Sequence, residues 1–223
     1  MLRAIGATVV VITLAACPDS PPEGEPDAGG GPDGAGPATL TVTFAPDPGI
    51  PAALGGTFAV EVDRLELRLR DLRAIGDAAP GDPRTSRAEL TLAWPEGQEP
   101  AARFPEAPPG FYSRLKASVA EYRVRGQVTR GAEVLPFEIE DEGSMVPVEV
   151  ALAVEVRAGQ VTEVPVLVAV GAFVDSIPWG SLPAEEGKLE LHADDPELQA
   201  VRTALAGAFR CRDPGQCAGA VQP

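Results

Sequence analysis

Apolar and polar positions alternate along much of this 223-residue chain. In Thr39–Phe44 the apolar residues Leu40, Val42 and Phe44 fall on one face, and threonines occupy the other. Successive side chains of a strand point to opposite faces, so a period of two predicts a strand with one buried face. The first structural element is therefore predicted to be a half-buried β-strand.

The segment 57–69 alternates as well, but its apolar positions change phase near Asp63 and Arg64. They run first through Phe58, Val60 and Val62, and then through Leu65, Leu67 and Leu69. A one-residue slip would turn the second set to the wrong face unless the strand bulges. We therefore expect a bulge or bend at Asp63–Arg64.

Further strands are predicted by the same criterion at 88–94, 111–125, 134–140, 146–156 and 161–170. Arg130 and Gly131 are typical of a hairpin tip, and the turn 157–160 connects the last two strands. The polar segment from Asp71 to Arg87, which contains two prolines, predicts a long loop.

About eight strands with turns between them predict an all-β fold, an antiparallel β-sandwich or barrel, in residues 39–192. We favour the sandwich, in which two antiparallel sheets pack as in immunoglobulin-like domains. Residues 193–223 hold one predicted amphipathic helix, which Asp194 or Asp195 can cap. Its apolar stripe is expected to pack on the sandwich, and a partner-binding helix is the alternative; the stripe consists of Leu198, Val201, Leu205 and Phe209.

Residues 1–16 have the charge and length of a signal peptide, with Arg3 before an apolar stretch too short to span a bilayer. They end at Leu14-Ala-Ala-Cys17, which resembles a bacterial lipobox. That resemblance implies cleavage before Cys17 and lipid attachment to its thiol, and hence a lipid membrane as a partner. The alternative is an ordinary secretory peptide in which Cys17 is incidental.

Residues 17–38 are rich in proline and glycine and hold no aliphatic side chain larger than alanine, which predicts a flexible tether. The net charge of −15 makes binding to nucleic acid unfavourable. It also opposes contact with anionic head groups, so lipid would supply the membrane attachment. We expect the cell envelope as location, with the outer membrane or cell surface favoured over the inner membrane.

Cys211 and Cys217 flank the turn signal Asp213-Pro-Gly. In an exported protein this spacing predicts a disulfide, with free thiols as the alternative. A metal site is disfavoured because His192 is the only histidine. We predict neither a metal nor a cofactor.

Catalytic motifs are absent from the sequence. There is no Gly-x-Ser-x-Gly elbow, no His-Glu-x-x-His and no glycine-rich phosphate loop. We therefore predict no catalytic residue and no enzyme. The alternative is a glycosidase-like hydrolase that uses paired acids, for which the candidates are Asp141–Glu142, Glu185–Glu186 and Asp194–Asp195.

Aromatic residues beside turns are the candidates for ligand binding, because aromatic faces stack on sugar rings. They are Trp94, Tyr112 and Trp179, with Phe111 next to Tyr112. Glu96 or Asp175 could accept hydrogen bonds from ligand hydroxyls. The alternative is that these rings seal the ends of the core.

The segment Ala107-Pro-Pro-Gly-Phe-Tyr-Ser-Arg-Leu115 resembles a turn and strand in a family of bacterial lipoproteins with a transthyretin-like (prealbumin-like) β-sandwich. The strand Leu40–Phe44, the strand Val60–Leu67 and the turn Ala158-Gly-Gln160 add to the likeness. The resemblance covers residues 39–175 and implies that fold, with carbohydrate as a suspected ligand. It implies no catalytic residues.

Together these features predict an envelope-anchored lipoprotein with a non-enzymatic binding or structural role, whose ligand is a glycan, a peptide or an envelope protein. A carboxylate-based hydrolase and a strand-exchanging assembly subunit are the alternatives. The oligomeric state is left open by the sequence.

Overall fold

The structure is a computed structural model that describes residues 36–76, 83–95, 100–213 and 215. Four predicted features lie outside these residues: Cys17, Cys217, the predicted signal peptide and most of the predicted tether. The strands are β1 (Thr39–Asp47), β2 (Ala52–Leu54), β3 (Ala59–Gly76), β4 (Ser86–Trp94), β5 (Ala101–Pro105), β6 (Gly110–Arg130), β7 (Glu133–Val156), β8 (Val161–Ala169), β9 (Leu189–Leu191) and β10 (Phe209–Cys211). The helices are α1 (Val170–Val174) and α2 (Leu198–Ala206).

The strands form two sheets. The four-stranded sheet has the order β10-β8-β1-β5. The six-stranded sheet has the order β2-β3-β6-β7-β9, with β4 also paired to β3. The prediction of a mainly β fold is confirmed.

The expectation of purely antiparallel pairing is wrong at two places. β1 pairs with β8 in parallel, and so does β7 with β9. At residues 157–160 the chain passes from one sheet to the other, so β8 starts beside the start of β1. β7 and β8, which are adjacent in sequence, are therefore not paired with each other. The alternation of apolar and polar residues does not show which distant strand each of them pairs with.

β3 confirms the predicted bulge and corrects the predicted loop. Its pairing with β6 shifts between Val62 and Arg64. The strand then continues to Gly76 through a second irregularity, where Asp71 has φ +53°. The expectation of a loop over 71–87 is therefore wrong for residues 71–76 and 86–87. Asp71 shifts the alternation by one residue so that Leu72 is buried, and β4 already begins at Ser86. A 3-10 turn over Pro83–Thr85 leads into β4.

β7 contains both of the strands predicted at 134–140 and 146–156. Two residues with positive φ, Gly143 and Met145, bend it without ending it. The hairpin predicted at Arg130–Gly131 is confirmed, since β6 and β7 pair directly across it and Gly131 has φ +63°.

The C-terminal segment packs on the sheets. Leu198, Val201 and Leu205 of α2 are fully buried, and β10 extends the smaller sheet beside β8. The expected cap is different, because α2 begins after Glu197 and Asp195 instead accepts a hydrogen bond from the His192 backbone N–H. Both sheets and both helices contribute to one core cluster, which includes Leu40, Phe44, Leu67, Tyr122, Ile139, Val166, Phe173 and Leu205.

The two ends of the domain can be defined by their residues. At the Gly36 end, the Thr39 N–H donates to the Gln160 carbonyl (2.9 Å) and the Ala107 N–H donates to the Ala38 carbonyl (3.1 Å). β1 and β8 run together from there to the other end, at Asp47 and Ala169. Nine residues of strand span roughly 30 Å at about 3.3 Å each, which separates the two ends.

Candidate functional site

A groove of about 470 Å³ lies at the end of the domain opposite Gly36. One wall comes from residues 56–58 and Val60, where the chain enters β3. The other comes from Asp175 and residues 177–181, which follow α1. The volume of the groove is within the usual size range of ligand sites. We call this feature the Trp179 groove.

Trp179 is held firmly in the wall of this groove. Its ring packs against Phe137 of β7 with centroids 4.8 Å apart and a tilt of 53°. The backbone carbonyl of Trp179 accepts a hydrogen bond from Arg130 Nη1 (3.1 Å). The same arginine nitrogen also donates to the Leu182 carbonyl (2.7 Å). The loop after α1 is therefore fixed to the hairpin between β6 and β7.

Phe58 and Asp175 provide the accessible chemistry of the groove. Phe58 is half-buried, and its Cζ lies only 3.1 Å from where a Cβ on Gly180 would stand. Asp175 is exposed, and its Oδ1 lies 3.4 Å from where a Cβ on Gly56 would stand. The two glycines therefore leave room for an aromatic ring and a carboxylate in one groove.

The three aromatic residues predicted to bind ligand are all buried. Trp94 is 5% exposed, and Tyr112 and Trp179 are each 3% exposed. Stacking on a sugar requires an exposed ring face, so this burial favours the alternative in which these rings seal the core. Neither indole Nε1 has a hydrogen-bond acceptor within the described part of the chain. By contrast, Phe111 at the start of β6 is 42% exposed.

Tyr112 has a clear structural role. Its hydroxyl donates to the Pro108 carbonyl at 2.8 Å and so closes the turn that leads into β6. A tyrosine that bonds to the backbone a few residues upstream fixes strand corners in other β-sandwich domains. The contact explains why proline, glycine and tyrosine occur together in this segment.

The predicted cysteine sites are only partly within the described residues. Cys211 ends β10 and is half-buried. Its proposed partner Cys217 and the lipidation candidate Cys17 lie outside, as does Glu96. The disulfide and the lipid attachment stay predictions.

The acidic pair Asp141–Glu142 cannot face one substrate. Asp141 is fully buried and Glu142 is exposed, because neighbouring residues of β7 point to opposite faces. Asp141 accepts two hydrogen bonds from Arg202, at 2.7 and 2.9 Å. This carboxylate is thus committed to an ion pair inside the domain.

The outer face of the larger sheet carries a network of charges. Carboxylate oxygens of Glu121, Glu140 and Glu142 lie within 4.8 Å of one another, but Arg68 pairs with Glu121 (2.9 Å) and Arg123 pairs with Glu140. Further along, Glu138 accepts a hydrogen bond from Lys188, which lowers the pKa of this glutamate, and desolvation only partly opposes that effect. Cross-strand ion pairs of this kind support the sheet and give two of the three glutamates a cationic partner.

His192 does not form a catalytic pair with serine in the described structure. It is exposed, and its Nε2 lies 3.6 Å from Glu190. The hydroxyls of Ser176 and Ser181 donate instead to backbone carbonyls, at 2.6 and 3.1 Å.

Comparisons with protein-family models, curated proteins and solved structures found no match for this chain. No helix in the described ranges has the length and apolar character needed to cross a bilayer.

Sequence reasoning identified Trp179 and Asp175 near one turn, and the structure brings both to the same groove. It missed Phe58, because the alternation of 57–69 placed this residue with the core face. The available signal was the Gly55–Gly56 pair just before it, which marks a chain that leaves the strand pattern.

Proposed function

We propose that this chain is a bacterial lipoprotein, lipidated at Cys17, whose domain is a non-enzymatic binding module of the cell envelope. The observation that carries the proposal is the Trp179 groove, where Phe58 and Asp175 flank a rigidly held wall. An aromatic ring next to a carboxylate is suited to ligands with hydroxyl or amino groups and an apolar face.

The finer features of the proposal come from the sequence. They are a transthyretin-like sandwich as the fold, a Cys211–Cys217 bridge, a flexible tether over 17–38, and the outer membrane or cell surface as location. The described structure supports the sandwich through its two sheets and single core cluster. The ligand classes are a glycan, a peptide or an envelope protein.

Binding can be tested with the chain from residue 18 onward, which lacks the lipid site and keeps every described residue. We expect it to bind in a glycan array or to retain a component of envelope extract. Phe58→Ala should remove that binding, while Phe111→Ala should not, because Phe111 is an exposed aromatic outside the groove. Reproducible substrate turnover without binding would instead favour the hydrolase.

A strand-exchanging assembly subunit is the second candidate, and one observation favours it. Among the described strands, β9 covers the second edge of β7 only at Phe137–Ile139, and none pairs with that edge over 146–156. A free edge can accept a strand from another chain. Light scattering over a wide concentration range tests self-association, and a monomer throughout would argue against pairing between copies.

A further inference from the structure

We infer that the Trp179 groove binds a cationic side chain, an ammonium or a guanidinium, presented by a peptide segment of a partner protein. This inference rests on the proposed binding function of the groove and names the chemistry of its ligand. Three observations support it: the Asp175 carboxylate has no described partner, the Phe58 ring lies in the same groove, and no basic residue lines the groove.

Asp175 is a carboxylate that the fold does not use. Within the described ranges its side chain forms no ion pair and no hydrogen bond, whereas several glutamates of the larger sheet are paired with arginine or lysine. It also stands at the C-terminal cap of α1, where the helix dipole favours a cation and disfavours an anion. Asp175 therefore stabilises neither a salt bridge nor its helix, and its charge faces the groove.

Phe58 supplies the second half of a cation site. The negative face of an aromatic ring attracts a positive charge that lies over it, and a guanidinium stacks there best. Gly180 has no side chain, so the Phe58 ring can pack against its backbone. Gly56 has no side chain either, so the Asp175 carboxylate can lie beside it. A ring and a carboxylate in one groove match the flat face and the N–H donors of arginine.

The rest of the groove wall excludes an anionic ligand. None of the lining residues is basic. The nearby Arg130 keeps its positive charge, but its Nη1 donates to the carbonyls of Trp179 and Leu182 and its side chain does not line the groove. A volume of about 470 Å³ exceeds one side chain, so residues that flank the cation in a peptide can lie in the groove as well.

The experiment compares two short peptides that differ only in charge. Acetyl-Gly-Arg-Gly-amide and its citrulline counterpart, a neutral analogue of nearly the same shape, are titrated into the ¹⁵N-labelled chain from residue 18 onward. The Trp179 indole and the Gly56 and Gly180 amides report on the groove. Asp175→Asn removes the charge with little change in shape, and Asp63→Asn removes an exposed aspartate outside the groove as the matched control.

We expect the arginine peptide to shift the groove signals and the citrulline peptide to bind at least about tenfold more weakly, as the loss of one charge-assisted contact predicts. Asp175→Asn should weaken binding of the arginine peptide by about the same factor, while Asp63→Asn should leave its affinity unchanged. Equal binding of the two peptides, an Asp175→Asn variant that binds like the parent, or no shift with either peptide at millimolar concentration would overturn the inference. Glycan binding at the groove together with any of these results would leave the proposed function standing.

Discussion

Arg202 of α2 neutralises Asp141 of β7 in the interior of the domain. The guanidinium donates Nε to Oδ2 and Nη2 to Oδ1, and Nη2 also donates to the Ala193 carbonyl at 2.7 Å. Asp141 is fully buried, so nothing but the protein can compensate its charge. The pair therefore joins the C-terminal helix to β7, which lies between β6 and β9 in the larger sheet.

Removing one partner of this pair should be costly. Arg202→Met leaves the Asp141 charge buried and unpaired, and we expect a loss of about 3–5 kcal/mol in the free energy of unfolding. Replacing both residues, as Asp141→Leu with Arg202→Met, should recover most of that loss. Urea denaturation measures both variants, and a single substitution as mild as the double one would contradict this account.

We expect the buried Tyr122 to make the free energy of unfolding fall at alkaline pH. Burial, and then the negative charge of Asp141, raise the pKa of its phenol far above the ordinary value of 10. Above pH 10 the unfolded chain releases this proton and the folded chain keeps it, so stability decreases as pH rises, by up to about 1.4 kcal/mol per pH unit. Below pH 10 the effect is absent.

Tyr122→Phe should flatten this decline. The hydroxyl meets strict hydrogen-bond geometry with no described group, but the buried Asp141 carboxylate lies close enough to raise the pKa of the phenol through charge and hydrogen bonding. The variant should therefore cost about 1–3 kcal/mol at pH 7. Urea denaturation at pH 8, 10 and 11 gives the slope for both proteins. The same decline in the variant would show that other groups cause it.

Gly126 is required by close packing between β3 and β6. A Cβ there would overlap the Glu61 carbonyl oxygen and press on the Phe137 ring. We expect Gly126→Ala to cost at least about 3 kcal/mol or to prevent folding, since backbone must move. Gly55→Ala, at a position with open space around it, is the control and should stay close to the parent in thermal unfolding.

Cys17 is the single proposed point of membrane attachment. Cys17→Ser should move the protein from the membrane fraction to the soluble fraction, because an acidic domain gains little from the head groups. The released protein should keep the circular dichroism of the folded domain. A variant that stays with the membrane after a high-salt wash would contradict lipid attachment at this residue.

The sequence predicted the elements in which alternation is long. β1 and β3 follow from it, and so does the bulge at Asp63, because a phase change in a buried face has one simple structural solution. Short strands such as β2 and β9 were missed, since three residues cannot show a period. Parallel pairing was also missed, because it depends on contacts between residues far apart in the chain.

The candidate site was less predictable than the fold. Turn signals located Trp179 and Asp175 correctly beside a loop, but they could not tell whether a ring faces solvent or core. Tyr112 points inward because the Pro108 carbonyl accepts from its hydroxyl. Phe58 remains half exposed because the chain enters β3 only after it, which no local pattern records.

The Gly36 end and the Trp179 groove lie at opposite ends of paired strands. If residues 17–35 lead to a lipid, the domain acts as a rigid spacer of roughly 30 Å between its point of attachment and its binding surface. Because the predicted flexible tether would let the domain turn, this length adds to the reach of the groove and does not fix its direction.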